Sequence, residues 1–230
     1  KALKSILKSY FRQQNYPIRV HLSLTLKHRI KKQLAPIYNI LKTPVLHILQ
    51  HLSAKLTHHL SKALPQKPLV LIDTFVVGSN LNDRYYPGLW DSLTVQEKDC
   101  VRFVPTLLHP PRKCIQLYKS LRTSNFNFLL KEDYLRVSDY WHAWNYWIRV
   151  FKIRVRKTDF SGFNMSPLVQ EELRSLNGYY NAFLAILNFR FVKRLSESEV
   201  KLKLIINWFE NQTLDKGSNA GFRKYFPDVK

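Results

Sequence analysis

The sequence predicts an α/β protein: a Rossmann-like, mainly parallel sheet flanked by helices and preceded by a basic helical segment. Residues 69–77 form a short, almost wholly apolar run, which is typical of a strand buried on both faces, as in parallel sheets. Strand-like runs then alternate with helical patterns, which implies crossover connections between parallel strands. Before Pro68 the apolar spacing is helical, which predicts a separate helical segment.

Positive charge is concentrated at the start of the chain. The 230 residues contain 37 Lys and Arg against 16 Asp and Glu, a formal net charge of +21. Residues 1–67 hold ten Lys, three Arg and no acidic residue, so they carry +13. The remainder holds 24 basic and 16 acidic residues, or +8. This asymmetry indicates an anionic partner such as lipid, nucleic acid or an acidic protein surface.

The basic segment, residues 1–65, has the spacing of amphipathic helices. Because Pro17, Pro36 and Pro44 interrupt the pattern, we expect two or three helical pieces rather than one rod. Lys, His, Ser and Gln occupy the polar faces. The apolar positions are Leu3, Ile6, Leu7, Tyr10 and Phe11, and then Leu41, Val45, Ile48, Leu49, Leu52, Leu56 and Leu60.

A proline-flanked stretch, residues 65–68, separates two predicted domains. Residues 1–67 form the basic helical segment and residues 68–230 the Rossmann-like domain. We also expect the chain to be an excerpt from a longer protein, because it begins with Lys1 and its only methionine is Met165.

Three further strands are predicted after the first, at residues 101–104, 126–130 and 200–206. The helices between and after them begin with recognisable signals. A capping box, Thr94 with Glu97, starts one, and Pro110-Pro111 starts another that runs to about Leu121. Longer helices are predicted at residues 137–155, 166–187 and 210–225.

Several common sites are missing from the sequence. No glycine-rich dinucleotide loop or Walker loop follows the first strand, and no zinc-protease or serine-hydrolase motif occurs. The two cysteines, Cys100 and Cys114, are too few for a disulfide framework or a zinc site and fit a reducing compartment. No apolar run is long enough to predict a membrane span. We therefore predict no cofactor and no metal site in this chain.

Polar clusters follow three of the predicted strands. Residues 82–88 come after the first strand, residues 131–134 after the third and residues 208–212 after the fourth. Because ligands of open α/β sheets bind outside the carboxyl ends of the strands, we expect these clusters to share one rim. For each residue singly, an ordinary ion pair or helix cap is an equally good interpretation.

The basic segment and its histidines allow more than one interpretation. The segment can lie on anionic lipid or pack as a solvated face against the next domain, and nucleic acid is a less favoured partner. His47 and His51 are four residues apart, a spacing that can hold a metal, but no carboxylate lies nearby in sequence. A polar, partly protonated helix face is the favoured interpretation.

Several of these stretches also resemble a known family. Residues 72–75 with 83–88, residues 128–134, and residues 208–212 with 215–217 and 221–223 are similar to blocks of bacterial surface-carbohydrate biosynthesis proteins with a B-type glycosyltransferase architecture. The similarity covers about residues 68 to 230 and leaves out the basic helices.

The resemblance implies the acceptor-side half of a two-domain enzyme that transfers a sugar from a nucleotide sugar to a lipid-linked or glycan acceptor. The site would be cytoplasmic, at the inner face of the plasma membrane, and the donor-binding half would lie outside this chain. A carboxylate would act as the general base. The candidate bases are Asp83, Glu132 and Glu210, and the candidate substrate-binding residues are Arg84, Tyr86, Lys131, Asn211, Gln212, Lys216 and Arg223.

Overall fold

A computed structural model describes residues 26–77, 86–108, 113–207 and 212–229, together with residue 7. Its sheet confirms the predicted fold class. Strands β1 (Leu69–Val77), β2 (Val101–Leu108) and β5 (Leu202–Ile206) are all parallel and lie in the order β2-β1-β5. The middle strand β1 corresponds to the almost wholly apolar run of the sequence. Such a composition is typical of a parallel strand that other elements cover on both faces.

The predicted strand at residues 126–130 is reduced to a single bridge between Phe103 and Phe128. The backbone N–H of Phe103 donates to the Asn127 carbonyl and that of Leu129 to the Phe103 carbonyl, both at 2.8 Å. Two residues on, β2 has Pro105, whose nitrogen faces the same edge and carries no hydrogen. The proline therefore stops the ladder after one step.

One face of the sheet packs against elements that follow β1 and β2 in the chain. Ile72, Val101 and Phe103 lie on one face and pack against the short helix α2 (Leu89–Ser92), which precedes α3 (Val95–Cys100). Val76 on the same face packs against α4 (Cys114–Thr123). The predicted capping box is confirmed, with the Thr94 hydroxyl and the Glu97 carboxylate each bonding the other's backbone N–H.

The basic segment contains one continuous helix, α1 (Leu26–Leu56), so the prediction that Pro36 and Pro44 divide it is wrong. A proline inside a helix costs about 3 kcal/mol through a lost hydrogen bond and a steric clash. The helix continues because contacts with other parts of the chain stabilise it. Ala54 is fully buried, and the Trp144 indole N–H donates to the Ile40 carbonyl at 3.1 Å. The apolar part before residue 26 lies outside the described residues, except residue 7.

The predicted helix at residues 137–155 is broken into α6 (Val137–Trp144), α7 (Tyr146–Arg149) and a 3-10 turn. The predicted helix at 166–187 is likewise two helices, α8 (Ser166–Ser175) and α9 (Tyr179–Glu197). Leu176 ends α8 in the left-handed region, with φ 57°, where a helix cannot continue. The apolar residues keep their helical spacing across both breaks. The sequence pattern therefore did not show where the helices end.

A small antiparallel hairpin, β3 (Asp159–Phe160) and β4 (Phe163–Asn164), was not expected from the sequence. Its turn has positive φ at Ser161 and Gly162, 48° and 79°, the pattern of a two-residue hairpin loop. The last helix is α10 (Thr213–Tyr225); the predicted start at Glu210 lies outside the described residues. The short helix α5 (Lys131–Tyr134) follows the bridge strand.

The described chain divides into two compact units. One contains residues up to Thr43 with Trp144–Tyr180, and the other contains Pro44–Ala143 with Asn181 onward. The second unit holds the whole parallel sheet with α2 to α5 and α10. The first holds α7, α8 and the hairpin, where Gln170 of α8 bonds the backbone of Ile153 and Val155. The sequence-based division at residues 67 and 68 stays a prediction.

Candidate functional site

Polar side chains lie on one face of the sheet, towards the carboxyl ends of its strands. Asp73 is on β1, Thr106 on β2 and Asn207 directly follows β5. In a parallel sheet paired residues share a face, and the pairs Asp73–Val104 and Phe75–Thr106 put Asp73 and Thr106 on the same one. The pair Leu71–Ile205 puts Asn207 there too, two residues further on.

Lys131 reaches this face from the start of α5. Its ammonium donates to Thr106 Oγ1 at 3.2 Å and to Asn188 Oδ1 at 3.0 Å. Asn188, on α9, is buried, and its amide nitrogen donates to the Leu214 carbonyl of α10 at 3.2 Å. Four elements therefore hold one cation in place, and both hydrogen bonds that the ammonium donates go to uncharged oxygens.

A second carboxylate, Asp215, is buried in the first turn of α10. Its Oδ2 accepts from the backbone N–H of Gln212 at 3.0 Å, and the Gln212 side chain accepts in return from the Asp215 N–H. This reciprocal cap satisfies two backbone donors that a helix start leaves open. A negative charge there is also favoured by the helix dipole.

Asp73, Lys131 and Asn207 line a cavity of about 30 Å³, which has room for ordered water. The side-chain Oδ1 of Asn207 is buried and has no hydrogen-bond partner among the described residues, although its nitrogen donates to Asn219 at 3.1 Å. A buried acceptor of this kind is commonly satisfied by water or by a ligand hydroxyl. The polar part of the lining is Asp73, Lys131, Asn207 and Ser218, and the apolar part is Leu71, Val104, Phe191, Ile205 and Phe222.

The surroundings shift the protonation of two groups near Lys131. Burial raises the pKa of the Asp73 carboxyl; the positive Lys131 opposes this, and the negative Asp215 adds to it. Burial lowers the pKa of His47 to about 4, and the charge of Lys131 acts in the same direction. His47 is therefore neutral at pH 7. We name Asp73, Thr106, Lys131, Asn188, Asn207 and Asp215 the polar cluster.

Glu132, a candidate base, lies next to Lys131 but in different surroundings. Burial raises the pKa of its carboxyl, while the Tyr118 hydroxyl and Lys131 act against the rise. The pKa values of Tyr118 and Tyr140 are both raised, first by burial and then by the charge of Glu132. Lys131 and Glu132 thus belong to one short helix, yet only Lys131 lines the cavity.

The other predicted site residues are spread more widely. Tyr86 is partly buried and packs against the cluster of Ile72, Val101 and Phe103. Gln212, besides capping α10, is exposed. The four residues Asp83, Arg84, Glu210 and Asn211 lie outside the described residues, and Lys216 and Arg223 are exposed on α10. The roles of all these residues stay predictions.

His47 and His51 of α1 are not on a solvated, partly protonated helix face, so that expectation is wrong. His51 is only 7% exposed, and its Nδ1 lies 3.5 Å from the Tyr140 hydroxyl. Its pKa is lowered, first by burial and then by Lys55, which opposes protonation. Within the part of the chain that the structure covers, no group of three His, Cys, Asp or Glu side chains could hold a metal ion.

Sequence reasoning missed most of the polar cluster. Asp73 was noted only within the apolar strand and one stretch of the family resemblance, Asp215 only within the last helix and another such stretch, and Asn188 not at all. The signal was the position of Asp73: it is the single charged residue in β1, and strand parity places it with Thr106 and Asn207 once the pairing is known. No comparable sequence signal marked Asn188 on α9 or Asp215 on α10, because their positions depend on how the helices pack.

A larger polar pocket of about 460 Å³ is held together by internal ion pairs. The Arg122 guanidinium donates to Asp133 Oδ1 at 2.7 Å and to the Ala54 carbonyl at 2.9 Å, and it also bonds Thr57 and Ser61. These bonds join α4 and α5 to the end of α1. Since the guanidinium is used for this purpose, we assign the pocket a structural role.

Comparison with protein-family models, with curated proteins and with solved structures found no match. None of the helices in the described ranges is long and apolar enough to cross a membrane. The class of protein defined here is therefore a Rossmann-like α/β protein with a charged cluster at the carboxyl end of its sheet.

Proposed function

We propose that this chain is a glycosyltransferase-like protein of bacterial surface-polysaccharide biosynthesis, which transfers a sugar from a nucleotide sugar to a lipid-linked or glycan acceptor. The observation that carries the proposal is the polar cluster. Its cation, its two carboxylates and an amide oxygen that has no partner among the described residues lie where parallel α/β sheets bind their ligands. The resemblance of residues 68 to 230 to surface-carbohydrate proteins supplies the reaction class.

Lys131 has the chemistry to bind a phosphate of the donor or of a lipid-linked acceptor. Its ammonium is held by the Thr106 hydroxyl and the Asn188 amide oxygen, neither of which neutralises its charge. A positive charge held before the substrate arrives stabilises negative charge as it develops on the leaving nucleotide. Asp73 would then be a positioning residue, because it lines the same cavity as Lys131.

Sugar transfer also requires a base for the acceptor hydroxyl. The hydroxyl oxygen forms a bond to the anomeric carbon, the bond from that carbon to the nucleotide phosphate breaks, and the hydroxyl proton goes to a carboxylate. Asp83, Glu132 and Glu210 are the candidates. The raised pKa of Glu132 suits a base that works near neutral pH.

The test uses the full-length protein with radiolabelled nucleotide sugars and a membrane lipid extract. We expect label to be transferred, and the variant Lys131→Met to reduce kcat/KM roughly a hundredfold, the usual cost of removing one electrostatic stabiliser. Lys119→Met is the matched control, because Lys119 is exposed on α4, away from the cluster. Arg84→Ala and Glu210→Ala test the rim residues.

Two results would contradict the proposal. If Lys131→Met folds normally and transfers sugar at the wild-type rate, the polar cluster is not the site. If the wild-type protein turns over no nucleotide sugar yet binds anionic vesicles or oligonucleotides, the alternative function is correct: a non-enzymatic basic module for an anionic membrane or nucleic acid.

A further inference from the structure

The apolar face of α1 points to solvent. In the second unit, Val45, Ile48, Leu49, Leu52 and Leu56 are all exposed, Leu52 by 51% and Leu56 by 65%. We name these five residues the α1 stripe.

The polar side of the same helix is the buried side. His51, Ser53 and Ala54, with Thr57 directly after the helix, are each less than 9% exposed. This is the reverse of an ordinary surface helix, whose apolar stripe faces the core. An apolar stripe left outside by a folded unit marks an interaction surface.

Hydrogen bonds prevent α1 from turning its stripe inward. Arg122 donates to the Ala54 carbonyl at 2.9 Å and to Thr57 Oγ1 at 3.1 Å, and Lys55 Nζ donates to the Asp133 carbonyl at 3.0 Å. Rotation of the helix would break these bonds and deprive Arg122, a residue only 7% exposed, of its acceptors on Ala54 and Thr57. The outward stripe is therefore a property of the folded unit.

Charge identifies the kind of partner. The segment that contains the stripe, residues 1–67, carries +13 and no acidic residue. A second copy would bring two such segments together, and like charges oppose that contact. Nucleic acid would satisfy the charge but offers phosphates rather than an apolar surface to Leu, Ile and Val side chains. An anionic bilayer offers both an apolar interior and a negative surface.

A second exposed stretch in the first unit has the same composition. Ile148, Phe151, Ile153 and Phe160 are all exposed, Phe160 by 71%. Five Arg and Lys residues lie between Ile148 and Thr158, and no acidic residue does. A lipid surface accommodates such repeated mixtures of apolar and basic residues without requiring one defined contact geometry.

We propose that α1 is an interfacial membrane helix, which lies parallel to the surface of an anionic bilayer with the α1 stripe inserted between the lipid headgroups. This inference goes beyond sugar transfer and does not depend on it. It requires no turnover, only the outward stripe and the charge of its segment.

The test is co-sedimentation of the full chain with phosphatidylcholine vesicles, with and without phosphatidylglycerol. We expect binding only when the anionic lipid is present, weakened by salt. The double variant Leu49→Glu/Leu52→Glu should reduce the vesicle partition coefficient at least about tenfold, because two inserted leucines are lost. The matched control is Val95→Glu/Ile115→Glu, which places the same charges at exposed apolar positions on α3 and α4.

The results of this test distinguish an anionic bilayer from the other possible partners of the α1 stripe. Wild-type binding with the control and lost binding with the stripe variant supports the proposal. Equal vesicle binding by both variants overturns it, and so does binding to an oligonucleotide but not to vesicles. A wild-type dimer that the stripe variant converts to monomer, without vesicle binding, would identify a second copy instead. If the Glu variant does not fold, Leu49→Gln/Leu52→Gln makes the same comparison without added charge.

Discussion

Asp139 is a fully buried carboxylate on α6 that two arginines of α9 hold in place. Arg190 Nε donates to its Oδ1 at 2.6 Å, and Arg194 donates from Nε and Nη2, both at 2.8 Å. The Arg136 backbone N–H completes the site at 2.9 Å. The sequence offered no sign of this group of charges, which joins elements about 50 residues apart.

We predict that Asp139→Ala destabilises the protein by about 3–5 kcal/mol, because it removes the buried carboxylate that pairs with both Arg190 and Arg194 and leaves Arg194 with the carboxylate of Glu197. The free energy of unfolding in urea measures this. Asp159→Ala is the matched control: Asp159 pairs with Lys157 at 3.1 Å but is exposed, so the change should cost less than about 1 kcal/mol. Equal losses from the two variants would show that the buried site has no special role.

The same residue predicts a dependence of stability on pH. Burial alone would raise the pKa of Asp139, but hydrogen bonds from Arg194, Arg136 and Arg190 outweigh it, so the pKa is lowered below its ordinary value of 3.8. A lowered pKa stabilises the fold above that value and stops doing so as the pH falls through the folded-state pKa. We expect the stability difference between wild type and Asp139→Ala to shrink below about pH 4; a difference that stays constant there would contradict this.

Asp73 should behave in the opposite way, because burial raises its pKa above 3.8. The ionised carboxyl is a cost to the fold at neutral pH, and the cost disappears as the pH falls below the ordinary value. We therefore predict that Asp73→Asn has a higher melting temperature than wild type at pH 7 and loses that advantage in acid. Lower sugar transfer by this more stable variant would indicate that the residue serves function; a melting temperature below that of wild type at pH 7 would contradict the prediction.

At the scale of elements, α10 lies unusually close to α9. A Cβ atom added at Gly217 would overlap the backbone carbonyl of Ala185, and one at Gly221 would lie 2.9 Å from the Val192 Cβ. Both glycines are inside the helix, where Gly costs about 1 kcal/mol relative to Ala. The close approach, which brings Leu214 within hydrogen-bond distance of Asn188, accounts for their presence.

We predict that Gly217→Ala destabilises by about 1–3 kcal/mol, because the overlap with backbone outweighs the gain in helix propensity. Gly178→Ala is the control: a Cβ there meets nothing within 4 Å, and its φ is not positive. Thermal or urea unfolding of both variants gives the comparison. A stable Gly217→Ala protein would mean that α10 can move away from α9 without cost.

At the scale of the whole molecule, the two cysteines differ in burial, so their reactivity distinguishes the native surface from the unfolded core. Cys114 is buried in the core with Leu117 and Tyr118, and burial raises the pKa of its thiol. Cys100 is partly exposed at the end of α3. Since the thiolate is the reactive form, the two residues should differ strongly in their reaction with a thiol reagent.

We predict that Cys100 reacts with the reagent in the native protein, while Cys114 reacts only when the unit around the sheet unfolds. The labelling rate of Cys114 should therefore rise with urea in parallel with global unfolding measured by circular dichroism. Mass spectrometry after proteolysis distinguishes the two positions, and Cys100→Ser and Cys114→Ser confirm the assignment. Fast labelling of Cys114 without denaturant would contradict the buried core described here.

Much of the fold followed from local pattern. The continuous apolar run of β1 predicted a doubly covered parallel strand, and the alternation after it predicted the crossovers, because both are properties of a few neighbouring residues. The capping box at Thr94 was correct for the same reason. Helix breaks at Asn145 and Leu176 were missed because apolar spacing continues through them.

For the site, the sequence identified Lys131 but not the residues that surround it. Asp73 precedes Asn188 and Asp215 by more than a hundred residues in the chain, and only packing brings the three residues near one another. The sequence also showed that α1 is amphipathic and basic. Only the tertiary structure decided that its polar side faces inward, because periodicity tells which side chains share a face and does not tell which face meets the core.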